Sequence, residues 1–348
     1  MMNNNLDNNI ESEFLNHFNY SEKNNYHPWK PLSSTQDDKK RVYYGANKDN
    51  TNDFLHVKQI KSCLESYQKI LKELYFLVIL KKHKYFVELD DVILSSNKEF
   101  IFFLFKGNNI SLDQLINSKE TNYLSDKELV KSIIFKICSG LYFLHFNNII
   151  HNDIKSSNIL IGEDGEIYIC DFGSATYRGE TSLEYTLEYS SPEFLKDRFR
   201  NEKSDMWALG VIMTELFSSN INCKFSDKNE EKNDKNQLNL ILSNFGITDS
   251  SQYENFNELI KNIDSNEKFI DNDGIDLINN LIVLNPDKRY SARQALESPY
   301  LKDCLNENPL NIEKIKSPIN YNDLLGEIDE SKFEKIFYIL KEELKKSK

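Results

Sequence analysis

Five cysteines in 348 residues, Cys63, Cys138, Cys170, Cys223 and Cys304, are scattered without the spacing of a metal site. They read as reduced thiols in a protein of the cytoplasm or nucleus. No apolar run of membrane-spanning length is expected: Phe100 to Phe105 is too short and reads as a buried strand. Basic residues are the minority charge, 43 Lys and Arg against 55 Asp and Glu, for a net charge of −12. That balance argues against nucleic acid or an anionic membrane as the main partner and reads chiefly as a solubility feature. The first residues lack the basic and apolar pattern of a signal peptide. Residues 1–27 are Asn-rich without periodicity and are expected to be disordered. Against these absences stand 39% hydrophobic and 28% charged residues, a composition of soluble globular proteins. The length calls for two lobes or domains.

One stretch organises the chain: His151-Asn152-Asp153-Ile154-Lys155-Ser156-Ser157-Asn158. It lies between two apolar runs, Ile149-Ile150 and Ile159-Leu160-Ile161. After a hairpin-type turn at Gly162–Glu166 comes Asp171-Phe172-Gly173. Phosphoryl transfer needs a carboxylate to accept the proton of an attacking hydroxyl, oxygen ligands for magnesium, and a cation to offset charge in the transition state. Asp153 fits the first role, Asn158 and Asp171 the second, and Lys155 the third. A lone Asp-Phe-Gly is weak, whereas HxDxKxxN followed at this interval by Asp-Phe-Gly is specific.

On those motifs the chain resembles a eukaryotic protein kinase of the cyclin-dependent-kinase-like (CMGC) branch, over roughly residues 30 to 302. The resemblance implies an α+β, bilobal fold with a small β-rich N-lobe, about residues 28–105, and a larger α-helical C-lobe, about 106–302. Residues 303–348 form a tail with a terminal helix. It also implies ATP and Mg2+ as cofactors and Ser or Thr in proteins as the acceptor.

Two strands are expected over Arg41–Ala46 and Phe54–Ile60, separated by a polar turn, Asn47 to Asp53. By resemblance, Val42 and Lys58 contact ATP, and Glu73 on a helix from Ser66 to Leu80 pairs with Lys58. Further strands are expected over Val87–Ile93 and Phe100–Phe105. There Phe103 takes the gatekeeper position and Leu104, Phe105 and Lys106 offer main-chain groups to adenine. Leu160 forms the floor under the base. The S-x-x-E pattern from Ser125 to Glu128 is a capping box opening a helix through Leu144.

In the activation segment Thr186 ties to the catalytic loop, Glu193 pairs in the interior with Arg289, and Asp205 braces the loop backbone. Residues 219–236 read as an exposed insert, and Gln237 to Gly246 resembles a stretch characteristic of the cyclin-dependent branch. Phe333, Ile336, Phe337, Leu340 and Leu344 recur at helical spacing in the tail. That helix is expected to pack on a lobe, with partner docking as the alternative.

Several departures from the family pattern are informative. The three glycine positions of the phosphate loop are Thr35, Asp37 and Lys40, and the small residue above adenine is replaced by His56. These changes put ATP affinity in doubt. The three arginines that gather an activation-loop phosphate are replaced by Lys72, Asn152 and Thr176, so loop phosphorylation is not expected to be required. Residues 66–71 do not match the helix that packs on cyclins, so a cyclin partner is not indicated. Glu188 and Ser190 stand where the pocket for proline after the target residue would be formed. The chain therefore resembles most the single-subunit fungal CDK-activating kinases, acting as a monomer on cyclin-dependent kinases. A cyclin-dependent kinase with a divergent loop and a pseudokinase scaffold are the alternatives.

Overall fold

The structure, a computed structural model, describes residues 30–31, 40–46, 54–107, 109–118, 126–162, 165–180, 182, 184–217, 232–244, 271–310 and 313–346. The Asn-rich stretch, Thr35, Asp37, the Asn47–Asp53 turn, Ser125, most of the 219–236 insert and the pair Phe245-Gly246 lie outside the described residues, as does the side chain of Lys40.

The strands in chain order are β1 (Lys30–Pro31), β2 (Lys40–Ala46), β3 (Phe54–Lys61), β4 (Asp91–Leu94), β5 (Phe100–Lys106), β6 (Ile110–Ser111), β7 (Ile149–Ile150), β8 (Ile159–Ile161), β9 (Ile167–Ile169) and β10 (Thr176–Tyr177). The helices are α1 (Leu64–Ile79), α2 (Leu112–Asn117), α3 (Lys127–Phe146), α4 (Pro192–Asp197), α5 (Glu202–Leu216), α6 (Asp234–Asn244), α7 (Asn272–Leu281), α8 (Ala292–Leu296), α9 (Lys302–Glu307) and α10 (Glu330–Lys346). They fall into two compact units. One comprises residues 1–109, the turn at 162–166 and residues 315–348; the other comprises 110–161 and 167–314. The division falls just past β5, and the described residues 315–346 group with the sheet.

The first unit is an antiparallel sheet in the order β1-β2-β3-β5-β4 with α1 and α10. Strand alternation sorts its side chains. Tyr43, Leu55, Val57, Phe102 and Leu104 form one buried cluster. The residues between them, Val42, His56, Lys58, Phe103 and Phe105, point to the opposite face. The Val42↔Lys58, Lys58↔Phe103 and His56↔Phe105 registers set them side by side.

Strand β4 is shorter than the expected Val87–Ile93. Val87 and Leu89 are buried, but pairing to β5 begins only at Asp90, whose N–H donates to the Leu104 carbonyl at 2.8 Å. Helix α1 starts earlier than expected because Ser66 closes it from within: the Cys63 N–H donates to Ser66 Oγ at 2.9 Å.

The second unit is helical, with two small ribbons, β10-β7 and β6-β8-β9. Helix α3 is capped by Asp126, whose carboxylate accepts from Glu128 N at 3.0 Å and Leu129 N at 3.2 Å. The cap is thus one residue later than the expected Ser125, and its negative charge sits favourably at the helix N-terminus. Contrary to the reading of apolar runs, α3 is long and apolar enough to cross a membrane. Its composition has a different origin: it packs against α5, α8, β7 and β9, so apolar residues are needed around most of its circumference.

Candidate active site

The apolar pair Ile149-Ile150 is fully or almost fully buried in β7 and delivers the chain to His151. Asn152 follows with φ of 67°, a left-handed conformation that Asn tolerates better than most residues. Asp205, near the start of α5, holds this turn in place. Its Oδ2 accepts the His151 N–H and its Oδ1 the Asn152 N–H, each at 2.9 Å, and His145 Nε2 lies 2.9 Å from Oδ2. Burial would raise the Asp205 pKa, but the hydrogen bonds and charge of His145 and His151 outweigh it and hold the carboxyl below its usual range.

The Asp153 carboxylate is cross-braced. Lys155 Nζ donates to Oδ2 at 2.8 Å and Thr186 Oγ1 to Oδ1 at 2.6 Å. Lys155 also donates to Thr186 Oγ1 at 2.8 Å. Asn158 Nδ2 donates to the Asp153 carbonyl at 2.8 Å and to Oδ2 at 3.1 Å. These bonds fix the amide orientation and leave the Asn158 amide oxygen as the group able to meet a cation.

Cys170 is bound twice to the same loop, its N–H to the Asn158 carbonyl at 3.0 Å and its carbonyl to His151 Nε2 at 3.0 Å. Asp171 follows in a left-handed conformation, φ 63°, and Phe172 is buried against the His151 ring at 5.0 Å between centroids. Among the described residues no group of three His, Cys, Asp or Glu could hold a metal ion. A pair of hard oxygen donors, Asn158 and Asp171, nevertheless suits Mg2+, which keeps several waters and takes phosphate oxygens for the rest.

The segment after Asp171 is fastened by side chains. Asn152 Nδ2 donates to the Ser174 carbonyl at 3.0 Å and to Thr176 Oγ1 at 2.9 Å. Arg200 is half-buried over the Phe194 ring, 3.7 Å from its centroid, and Nη1 donates to the Glu184 carbonyl at 2.9 Å. Burial brings its pKa down to about 10, so it stays charged at neutral pH.

Ser190 Oγ turns inward to the Thr186 carbonyl at 2.9 Å, and Glu188 pairs with Lys232. Glu193 and Arg289 form a buried two-pronged pair at 2.8 and 2.9 Å. The remaining guanidinium donors go to the carbonyls of Val283 and Lys203.

In the sheet unit Lys58 and Glu73 form a buried ion pair. Phe103 is fully buried, Phe105 half-buried and Lys106 exposed. Lys106 lies past the start of β4, on the strand edge that Leu104 turns towards Asp90. Leu160 lies in β8, half-buried, opposite Ser111 and Tyr168. His56 stacks on Tyr44, ring centroids 6.2 Å apart, and hydrogen-bonds the Gly107 main chain; burial lowers its pKa.

Residues 40–301 match the protein kinase domain model. The chain belongs to the protein kinase domain family. It is 30% identical over 248 residues to cyclin-dependent kinase G-1 of Oryza sativa subsp. indica, a match covering 64% of this chain and 34% of that protein. The match thus spans about a third of the length of that relative.

With the kinase domain established, the placement of the residues singled out in the sequence is plain. Asp153, Lys155, Asn158 and Thr186 are in one hydrogen-bonded group, with Asp171 tied to it through Cys170. Lys58 and Glu73 meet, as do Glu193 and Arg289, while Val42, Phe103 and Phe105 share the Lys58 face of the sheet. Sequence reading did not find the Asn152–Thr176 bond, the stacking of Arg200 on Phe194, or the Ser156–Tyr189–Glu215 chain. In that chain the Tyr189 hydroxyl lies 2.8 Å from Ser156 Oγ and donates to Glu215 at 2.6 Å. The substitutions at 152 and 176 were visible as lost charge, but the bond between them depends on the left-handed turn at Asn152.

Proposed function

We propose that the chain transfers the γ-phosphate of ATP to Ser or Thr of proteins, and that its substrates are cyclin-dependent kinases, which it activates without a cyclin and without phosphorylation of its own loop. The braced Asp153 carboxylate carries the catalytic reading. Asp153 accepts the proton of the substrate hydroxyl as its oxygen bonds to the γ-phosphorus and the bond to the β-phosphate oxygen breaks. Lys155, held between Asp153 and Thr186, keeps a positive charge beside the forming bond. Lys58, fixed by Glu73, supplies a second cation for the phosphates. Asn158 and Asp171 would hold Mg2+, which when bound neutralises phosphate charge. Val42, Phe103, Phe105, Lys106 and Leu160 are assigned to the nucleotide.

Independence from a loop phosphate rests on the Asn152 bond to Thr176. Where a phosphate-gathering cluster would need planar, bidentate donors, these two side chains satisfy each other, and Arg200 is bound to main-chain carbonyls. The CDK-activating assignment rests further on Glu188 and Ser190, whose side chains are engaged within the chain.

The name of the rice relative favours a second reading, a cyclin-dependent kinase that itself takes a cyclin. The experiment is phosphate transfer by the phosphatase-treated chain to an unphosphorylated cyclin-dependent kinase and to a generic basic protein, with Asp153→Asn as control and a cyclin panel as a further arm. Transfer by the wild type alone, with preference for the cyclin-dependent kinase, is expected. Equal silence of wild type and control at saturating ATP and Mg2+ refutes the enzyme reading unless a cyclin restores transfer, which establishes the second.

A further inference from the structure

Helix α1 carries Glu73, yet it is apolar on more sides than packing on a sheet requires: Tyr67, Ile70, Leu71, Leu74, Tyr75 and Phe76 are all buried. Its second apolar flank is covered by residues 315–346 of the same unit. Phe333 of α10 stacks on Tyr67 at 4.1 Å between centroids. The short turn at Tyr321–Leu324 sits against the turn of α1 that bears Glu73. The Tyr321 ring lies 5.2 Å from that of Tyr75 and 5.8 Å from that of Phe76, with the Lys72 ammonium 5.8 Å from its centroid. Lys72, Tyr75 and Phe76 flank Glu73 in the helix, so Tyr321 braces the residues around the Glu73–Lys58 pair.

Polar bonds fix the register of this strap. Tyr75 Oη donates to Ser317 Oγ at 2.9 Å, Gln68 Nε2 to the Leu324 carbonyl at 3.1 Å, and Lys341 Nζ to the Val92 carbonyl of β4 at 2.6 Å.

We propose that residues 315–346 act as a built-in positioning subunit for α1, and that Tyr321 is a positioning residue that holds Glu73 against Lys58. The strap is anchored at both ends of α1: by Phe333 on Tyr67 near the start of the helix, and by Lys81, just past its end, donating to the Leu344 carbonyl. Tyr321 packs on Lys72, Tyr75 and Phe76 of the helix, so it acts through the helix. The catalytic consequence rests on the phosphotransfer reading, whereas the positional claim does not.

The test uses full-length chains carrying Tyr321→Ala, Tyr321→Phe or Tyr338→Ala, the last altering a residue of α10 that is 53% exposed. Two quantities are read: amide hydrogen exchange across residues 64–79, and steady-state phosphate transfer resolved into kcat and the KM for ATP. Tyr321→Ala is expected to speed exchange in the Glu73 turn by tenfold or more and to lower kcat by a similar factor. Exchange in α5 and α3 should stay at the wild-type rate, which separates loss of position from loss of folding. Tyr321→Phe keeps the ring and should restore both readouts, and Tyr338→Ala should match wild type.

Unchanged exchange in α1 with Tyr321→Ala overturns the proposal, as does equal acceleration with Tyr338→Ala. A wild-type chain without transferase activity would refute the functional reading alone, because the exchange pattern still decides whether the strap positions α1.

Discussion

The Glu193–Arg289 pair gives the sharpest quantitative expectation. Arg289 has 1% of its surface exposed and Glu193 5%, and the carboxylate takes both prongs of the guanidinium. Substituting Glu193→Gln leaves a buried guanidinium facing a neutral amide. Breaking such a pair from one side costs about 3–5 kcal/mol. For domains of this size each kcal/mol lowers the melting midpoint by roughly 2–4 °C, so the fall should be about 6–20 °C. The double substitution Glu193→Leu with Arg289→Met removes both charges and should recover most of the loss, because an apolar pair of similar volume is often as stable as a buried ion pair.

The pH dependence has a definite sign. Burial alone would raise the Glu193 pKa, but the charge and hydrogen bonds of Arg289 prevail and set it below its ordinary 4.5. A carboxyl with a lowered folded-state pKa adds stability in full above the unfolded value, and that contribution fades as the pH falls through the folded value. The gap between wild type and Glu193→Gln, measured by urea denaturation, should therefore be widest above pH 4.5 and narrow on acidification. A gap below about 1 kcal/mol at neutral pH, the range of exposed pairs, would refute the reasoning, as would a double variant no more stable than either single one.

Other expectations follow from single contacts. A Cβ added at Gly210 of α5 would lie 2.6 Å from Ile282 Cδ1 and 3.0 Å from Leu281 Cβ, so Gly210→Ala should destabilise by about 1–3 kcal/mol in chemical denaturation. Asp205→Asn offers one acceptor oxygen where the carboxylate has two, and strands a main-chain N–H of the catalytic loop; a loss of about 1.5–3 kcal/mol in denaturation, with lower kcat, is expected. Cys138 is fully buried and its thiol pKa is pushed up by burial, so it should resist a thiol reagent in the folded chain while the half-buried Cys63, Cys170 and Cys304 react first; mass mapping of labelled peptides checks the order.

The α+β class and most element positions were legible in the sequence because strand alternation and helical spacing are local properties. The α10 face is a clear case: Phe333, Ile336, Phe337, Leu340 and Leu344 recur at threes and fours, and all five are buried. What they meet was not legible, because Tyr67 of α1, on which Phe333 stacks, looks like an ordinary core residue until its neighbour is known. Asp153, Lys155 and Asn158 stood out by short spacing on one loop, whereas the approach of Thr186 is a tertiary event. Val87–Asp90 was overread as strand, since burial without pairing leaves the same apolar run. The apolar composition of α3 was underread because its three lysines, Lys127, Lys131 and Lys136, interrupt the run without removing its overall apolarity.

The strap on α1 also sets a schedule. Helix α10 is synthesised about 250 residues after α1, and at roughly 5–20 residues per second that is a delay of about 12–50 s. During this interval the helical unit can finish folding, while the sheet unit still lacks one of its packing layers. A chain ending between residues 314 and 321 would hold the complete catalytic loop, while its Glu73-bearing helix would have one apolar flank in water. The packing of α10 on α1 thus makes the completion of the sheet unit depend on residues made late in this sequence.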